Sequence, residues 1–308
     1  VKVLFVGGLG RNGSTLLDRL LGQVPGVCSV GELAFIWTRG LRDDERCGCG
    51  EAFRACPFWT EVGERAFGGW RAVDVAAMVG LQRSVDRNRY IPLMLAPWLA
   101  PGYARRMRRY AAGLGALYEA IGQVSGARLI VDSSKHASTA ALLRRVPGLG
   151  VSIVRLVRDA RGVAHSWSKT VVKPEVTGRV EHMPRVPAAR AAARWLAYDL
   201  LLAVVSAVSG GATVERYESL VDRPAERLAR LLAFTGEGGR LLPFIEGHSA
   251  ELRPTHSVAG NPSRFTSGSI EIRADEAWRT EMPAGSRRLV TAIAWPGLLR
   301  HGYFGGGA

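Results

Sequence analysis

An α/β fold, a parallel sheet covered by helices on both faces, is what these 308 residues predict. Three observations carry that expectation. Short and almost wholly apolar runs recur along the chain, as strands buried on both sides require. Runs with helical spacing lie between them. The first apolar run also passes through a Gly-rich turn straight into a helix.

Residues 1–6 are apolar and β-branched apart from Lys2, and read as the first strand. Residues 7–13 form the turn. From Ser14 onward, Leu16, Leu17, Leu20 and Leu21 fall on one helical face, and Pro25-Gly26 stops the helix. Further strands are expected at 128–131, 151–157 and 212–216, each bounded by Gly or charged residues. Helices are expected at 138–145, 162–169, 188–206 and 225–234. The longest apolar stretch, 200–208, follows Asp199 and precedes Gly210-Gly211. It is far short of the ~20 residues of a membrane span and reads as a buried helix. Between Arg39 and Gly126 no strand pattern occurs. Aromatics (Phe58, Trp59, Trp70, Trp98), prolines and arginine-rich runs such as 105–109 predict a helical insertion there, about residues 40–126, capping the sheet. The whole chain, 1–308, is expected to be one domain carrying that insertion. The Gly-rich tail at 305–307 is expected to be disordered.

The net charge of +14 and an isoelectric point near 10.5 favour an anionic ligand. The signal is weak, because the chain has only four lysines (Lys2, Lys135, Lys169, Lys173) and its charge is nearly all arginine in an Ala- and Gly-rich background. That usage suits a bacterial GC-rich genome. With no secretory leader pattern before the first strand, a cytoplasmic protein is expected. Three of the four cysteines cluster as CGCGEAFRAC (Cys47, Cys49, Cys56). Plain thiols, a local disulfide and a metal knuckle remain open. A structural zinc site takes four ligands, the cluster offers three and Cys28 lies far off in sequence, so no metal site is expected.

The turn reads GLGRNGST from Gly8. A kinase-type phosphate loop needs G-x-x-x-x-G-K-[ST], in which Lys reaches the outer phosphates and Ser/Thr holds Mg²⁺. Here Gly8, Gly13 and Thr15 keep the spacing, but Ser14 stands where Lys should be and Arg11 sits inside the loop. Such a loop holds a triphosphate poorly. It can still bind a single 5′-phosphate with backbone amides, the helix N-terminus, Ser14 and Thr15. The fold expected is therefore a P-loop NTPase-like parallel sheet flanked by helices, with the insertion added.

On this loop the sequence resembles the sulfotransferases that use 3′-phosphoadenosine-5′-phosphosulfate (PAPS), and is similar to tyrosylprotein and many bacterial members of that family. Further segments share the likeness: RLVRDARGVAHS over 155–166, VGEL around Glu32, VDSSK over 131–135, RYESLV over 216–221 and HSVAGNPSRF over 256–265. The resemblance implies that Arg11, Asn12, Gly13, Ser14 and Thr15 bind the donor's 5′ end and that Arg158 and Ser166 hold its 3′-phosphate. It places Tyr217 by the adenine, and makes Ser257, Asn261 and Arg264 contacts from a late loop. It further implies Glu32 as the base that takes the acceptor hydroxyl's proton, and Arg11 and Lys135 as stabilisers of the transferring group. His136 is the competing base.

The expected reaction is in-line transfer of a sulfuryl group from PAPS to a hydroxyl of a small-molecule, carbohydrate or lipid acceptor. It leaves adenosine 3′,5′-bisphosphate and requires no metal, because no triphosphate is involved. Phe35, Ile36 and Trp37, with the tryptophans of the insertion, are expected to wall the acceptor pocket. Two rivals are a P-loop nucleotide or metabolite kinase, disfavoured by Ser14, and a nucleic-acid-binding protein, suggested by charge alone. The arginines are spread along the chain without the basic, aromatic-studded face that nucleic acid would need.

Overall fold

The computed structural model describes residues 1–174, 181–208 and 210–304; the tail expected to be disordered lies outside them. Five parallel strands form the main sheet: β1 (Lys2–Gly7), β2 (Val27–Gly31), β3 (Leu129–Lys135), β4 (Gly150–Val157) and β5 (Ala212–Arg216), in the order β2-β3-β1-β4-β5. The expected α/β, P-loop-like architecture is what forms. The helices are α1 (Ser14–Leu21), α2 (Pro57–Phe67), α3 (Val75–Val85), α4 (Ile91–Leu95), α5 (Pro101–Ser125), α6 (Ala137–Leu143), α7 (Ala160–Ser168), α8 (Ala188–Ala207), α9 (Tyr217–Asp222), α10 (Pro224–Phe234), α11 (Trp278–Glu281) and α12 (Ala284–Arg300). A small antiparallel sheet, β6 (Ile245–Glu246), β7 (Ser249–Leu252) and β8 (Gly268–Glu271), follows α10.

Alternation along the strands explains the two covered faces. Val3 and Phe5 of β1 pack with Ile130 and Ile153 against a layer containing Leu117 of α5, Leu143 of α6 and Leu202 of α8. Leu4 and Val6 point the other way, with Val131, Val154 and Leu156, onto Leu17, Leu20 and Leu21 of α1 and Leu228, Leu231 and Leu232 of α10. With side chains on both faces buried, a strand has no polar face to show, hence its continuous apolar run.

Residues 36–125 hold no strand of the sheet; a π-helical turn at Ile36–Arg42 leads into α2–α5. Trp37, Phe53, Trp59, Trp70 and Tyr110 are buried there and share one apolar core with the sheet. Phe53 stacks on Trp59 with centroids 5.2 Å apart. Trp37 Nε1 donates to the Tyr110 hydroxyl, 3.0 Å, and Trp70 Nε1 to the Trp59 carbonyl, 2.7 Å.

Two expectations fail. The stretch 200–208 is helical in α8 but amphipathic: Leu202 and Val205 are buried, while Leu200, Val204 and Val208 are 46, 50 and 62 % exposed. Also, β3 does not stop at Val131 but runs on to Lys135, where the buried Asp132 carboxylate accepts from the Ser134 amide and hydroxyl. No helix of the described residues is long and apolar enough to cross a membrane.

Candidate active site

All five parallel strands deliver a site residue at their carboxyl ends. The phosphate loop follows β1, Glu32 follows β2, Lys135 ends β3, Arg158 follows β4 and Tyr217 follows β5. This is the edge where open α/β sheets bind ligands, beside the point where the chain reverses its direction of winding. Here that point is β1, flanked by β3 and β4. A cleft of about 900 Å³ opens there. It is lined by Arg11, Gly13, Ser14, Thr15, Glu32, Lys135, Arg158, Ser166, Tyr217 and Asn261, ten of the thirteen residues that the sequence singled out.

The other three turn inward. Asn12 is 1 % exposed; its amide donates to Leu156 O at 2.8 Å and its Oδ1 accepts from Ser14 N at 3.2 Å. Its side chain braces the loop against β4 and against the first amide of α1. Arg264 is 1 % exposed and its guanidinium reaches the carbonyls of Ser257 (3.2 Å), Ala259 (2.8 Å) and Arg46 (2.8 Å). Ser257 is buried beside Gly48. Arg264 and Ser257 thus shape the late loop from behind, and Asn261 is the member of that trio on the cleft.

The loop's conformation follows from its residues. Gly13 has φ of +91°, and a Cβ there would come within 2.4 Å of the Tyr217 ring. Arg11 takes a left-handed φ of +75°, unusual for a side-chain-bearing residue. Its guanidinium lies 5.4 Å from the Trp167 ring centre, and among the described residues its Nη2 meets only the weakly accepting sulfur of Met183, at 3.0 Å. Its Nε is buried with no partner among the described residues. Burial lowers its pKa, against the raising field of Glu32. A partly desolvated cation with an orphaned donor suits an anionic oxygen.

Glu32 and Lys135 meet across the cleft floor, Nζ to Oε1, at 2.5 Å. Lys135 also has a left-handed φ, +73°. Burial pushes the Glu32 carboxyl up. The opposing charge and hydrogen bond of Lys135, with the fields of Arg39 and His136, outweigh it and hold the group below its usual range. Burial lowers the pKa of His136, against the raising fields of Asp86 and Glu32.

A chain of hydrogen bonds sets these groups: Tyr118 donates to Asp132, Asp132 accepts from Ser134, and Ser134 Oγ accepts the Ala34 amide at 2.9 Å. Beside the phosphate loop, Arg158 donates to Arg11 O at 3.2 Å, to Asp275 O at 2.6 Å and to Asp275 Oδ2 at 3.0 Å, and lies 4.7 Å from the Tyr217 ring. Arg158 is thus already arranged to hold an anionic oxygen, with a carboxylate in that place.

The model of the Sulfotransferase family matches residues 4–238. The chain belongs to the sulfotransferase family. Among solved structures it is similar to the sulfotransferase domain of the olefin synthase of Synechococcus PCC 7002, at 20 % identity over 96 % of this chain and 94 % of that one, with a TM-score of 0.52. It is also similar to the sulfotransferase domain of the curacin biosynthetic pathway, at 16 % identity over 95 % and 96 %, with a TM-score of 0.49. At such identities the first likeness speaks for the fold. No curated protein matches the sequence.

Several residues of this sulfotransferase's cleft were not singled out from sequence: Trp167, Met183, Arg194, Tyr198 and Asp275. Trp167 was within reach, one residue past Ser166; its Nε1 donates to Gly10 O at 3.0 Å and pins the loop. The others lie on segments whose spacing carries no motif. The expected wall of the acceptor pocket is corrected as well. None of residues 40–126 lines the cleft, and Ile36 and Trp37 are buried. The aromatics of the insertion are consumed by their own core. Phe35 and Arg39, with Arg194 and Tyr198 of α8, line that side instead.

Proposed function

We propose that this chain, acting as one sulfotransferase domain with a helical insertion at about 40–126, transfers a sulfuryl group from PAPS to a hydroxyl of a small-molecule, carbohydrate or lipid acceptor. The observation that carries the reading is the layout of one cleft. It gathers a lysine-free phosphate loop with Arg11, the Glu32–Lys135 pair, and Arg158 with Ser166, and Arg158 Nη1 donates to the loop at Arg11 O, 3.2 Å. A donor carrying both a phosphosulfate and a second phosphate suits that set of anion-binding groups.

In this reading the amides at the start of α1, with Ser14 and Thr15, hold the 5′-phosphate. Arg158 and Ser166 hold the 3′-phosphate, and Tyr217 flanks the adenine. Glu32 accepts the acceptor's proton as its oxygen bonds to sulfur. The bond from sulfur to the bridging oxygen breaks, and its electron pair leaves with adenosine 3′,5′-bisphosphate. Arg11 stabilises the charge gathering on that phosphate, and Lys135 the sulfuryl oxygens. The low pKa of Glu32 keeps it ionised and able to accept a proton at neutral pH. The transfer calls on no metal ion: the cleft-lining carboxylates, Glu32 and Asp275, are each paired with a cation. A reducing, cytoplasmic setting suits the unpaired thiols.

Ligand-induced stabilisation tests the reading. Adenosine 3′,5′-bisphosphate at 100 times its Kd should stabilise the fold by about 2.7 kcal/mol, and ATP with Mg²⁺ should give no comparable shift. Stabilisation by ATP·Mg alone, with phosphoryl transfer, would replace the proposal with a kinase.

A further inference from the structure

Outside the cleft, the cysteine cluster gains a partner that the sequence hid. Cys47, Cys49, Cys56 and His256 bring one ligand atom each to a common point, all within 4.8 Å of one another. Cys56 Sγ lies 3.3 Å and Cys47 Sγ 3.9 Å from His256 Nδ1, and Cys49 Sγ lies 3.7 Å from Cys56 Sγ. We propose that these four side chains bind one zinc ion as a closed, structural site. This inference stands apart from the choice of donor and acceptor.

The distances are those of a coordination tetrahedron. With Zn–S of about 2.3 Å and Zn–N of about 2.0–2.1 Å, its edges are ~3.8 Å between sulfurs and ~3.5 Å from sulfur to nitrogen. A disulfide needs sulfurs about 2.05 Å apart. The 3.7 Å between Cys49 and Cys56 is far longer, and pairing them would leave a third thiol and an imidazole facing nothing. Three thiolates and an imidazole form a soft donor set that selects zinc over magnesium or calcium. Four protein ligands complete its shell, and none of them lines the cleft, so the ion has no open position for substrate.

The surroundings are built to hold this geometry. The turn itself is tight, with Cys47 N donating to Glu51 O at 2.8 Å and Gly50 N to Cys47 O at 2.9 Å. Phe58 stacks on the His256 imidazole, centroids 4.7 Å apart and planes 9° apart, and Trp59 Nε1 donates to His256 O at 3.1 Å. Gly48 lets the two segments touch. Its amide donates to Ser257 O at 3.0 Å, and a Cβ there would lie 2.3 Å from Ser257 Oγ and 2.5 Å from Thr255 O. Such support of the ligands is what metal sites require.

The ion's place in the fold gives it a task. It joins the insertion to a loop 200 residues away. Two residues past His256, Val258 donates to Val30 O at 2.8 Å and accepts from Glu32 N at 2.7 Å. The same loop then supplies Gly260, Asn261 and Ser263 to the cleft. Zinc would therefore anchor the segment that fixes the backbone of Glu32.

Metal analysis of the intact chain, purified from zinc-replete medium, tests this. We expect about one zinc per chain in the wild type and in Cys28→Ser, and under about 0.2 in Cys49→Ser and in His256→Ala. Should those two variants fail to fold, the wild type still decides. Exchanged with cobalt, it should show the strong thiolate-to-cobalt charge transfer and visible bands of a tetrahedral site. Less than about 0.1 zinc per wild-type chain, with no cobalt spectrum, overturns the site, as does a Cys49–Cys56 disulfide found by mass spectrometry.

Discussion

Replacing Glu32 by glutamine separates the role of its charge from the role of its shape. The amide oxygen can still accept from Lys135 Nζ, now 2.5 Å from the carboxylate, so a charged hydrogen bond worth about 1.5–3 kcal/mol survives. Breaking a fully buried ion pair costs about 3–5 kcal/mol. This pair is 11 and 15 % exposed and keeps a hydrogen bond, so the loss of fold stability should be no more than about 1–2 kcal/mol. Removal of a general base costs about 10²–10⁴ in rate. That corresponds to about 2.7–5.4 kcal/mol of barrier. The assay is single-turnover sulfuryl transfer from PAPS, beside titration with adenosine 3′,5′-bisphosphate. Affinity for the bisphosphate should hold or tighten slightly, because the field of Glu32 on Arg11 is removed. The wild-type acid limb should lie below the ordinary carboxylate range near 4, since Lys135 and its neighbours hold Glu32 down. A folded Glu32→Gln variant turning over within about tenfold of wild type would falsify the assignment and pass the role to His136.

Other outcomes follow from the same geometry. Asp275→Ala should tighten adenosine 3′,5′-bisphosphate several-fold by removing the carboxylate that competes for Arg158, which keeps its bonds to the backbone carbonyls of residues 11 and 275, and Arg158→Ala should weaken it about tenfold or more while sparing a nucleotide without the 3′-phosphate; equal losses for both nucleotides make Arg158 structural. Arg11→Ala should lower kcat more than donor affinity, because its contact strengthens only as the leaving phosphate gains charge; an affinity loss with unchanged kcat, read by the same assay, contradicts that role. Burial raises the buried Asp18 carboxyl to about 7, against the hydrogen bond from Ser29. The folded state therefore holds that proton more tightly than the unfolded chain does. The stability it contributes is full below pH ~4 and is lost as pH rises through ~7, at most about 4 kcal/mol. Asp18→Asn should flatten this slope in urea melts at pH 5 and pH 8; parallel losses in variant and wild type would place the slope elsewhere.

The sheet was legible wherever strands are buried on both faces, because burial leaves a run such as VLFV with no polar interruption. It was illegible at β2, whose VCSVG is five residues long and gives Ser29 to a buried hydrogen bond with Asp18. The helix α12 escaped notice because it carries Pro296 and exposes Leu289, Trp295 and Leu299, so no apolar stripe stands out. In the site, residues at strand ends could be found because the segments that carry them, such as VDSSK and RLVRDARGVAHS, resemble those of the sulfotransferase family. The inward turn of the Asn12 and Arg264 side chains was not legible, since a polar side chain reads alike whether it faces a ligand or a buried carbonyl. His256 had been noticed only as the start of a loop: nothing local marks a ligand whose partners lie 200 residues away.

Two site residues, Arg11 and Lys135, hold left-handed backbone angles that glycine or asparagine would accept more easily. Each imposes strain of order 1 kcal/mol or more. Selection for thermal robustness alone would therefore push position 11 toward glycine or asparagine, whereas at 135 the ion pair with the buried Glu32 opposes the same change. Libraries built to harden this chain should hold position 11 constant, however favourable the melting temperatures of the replacements.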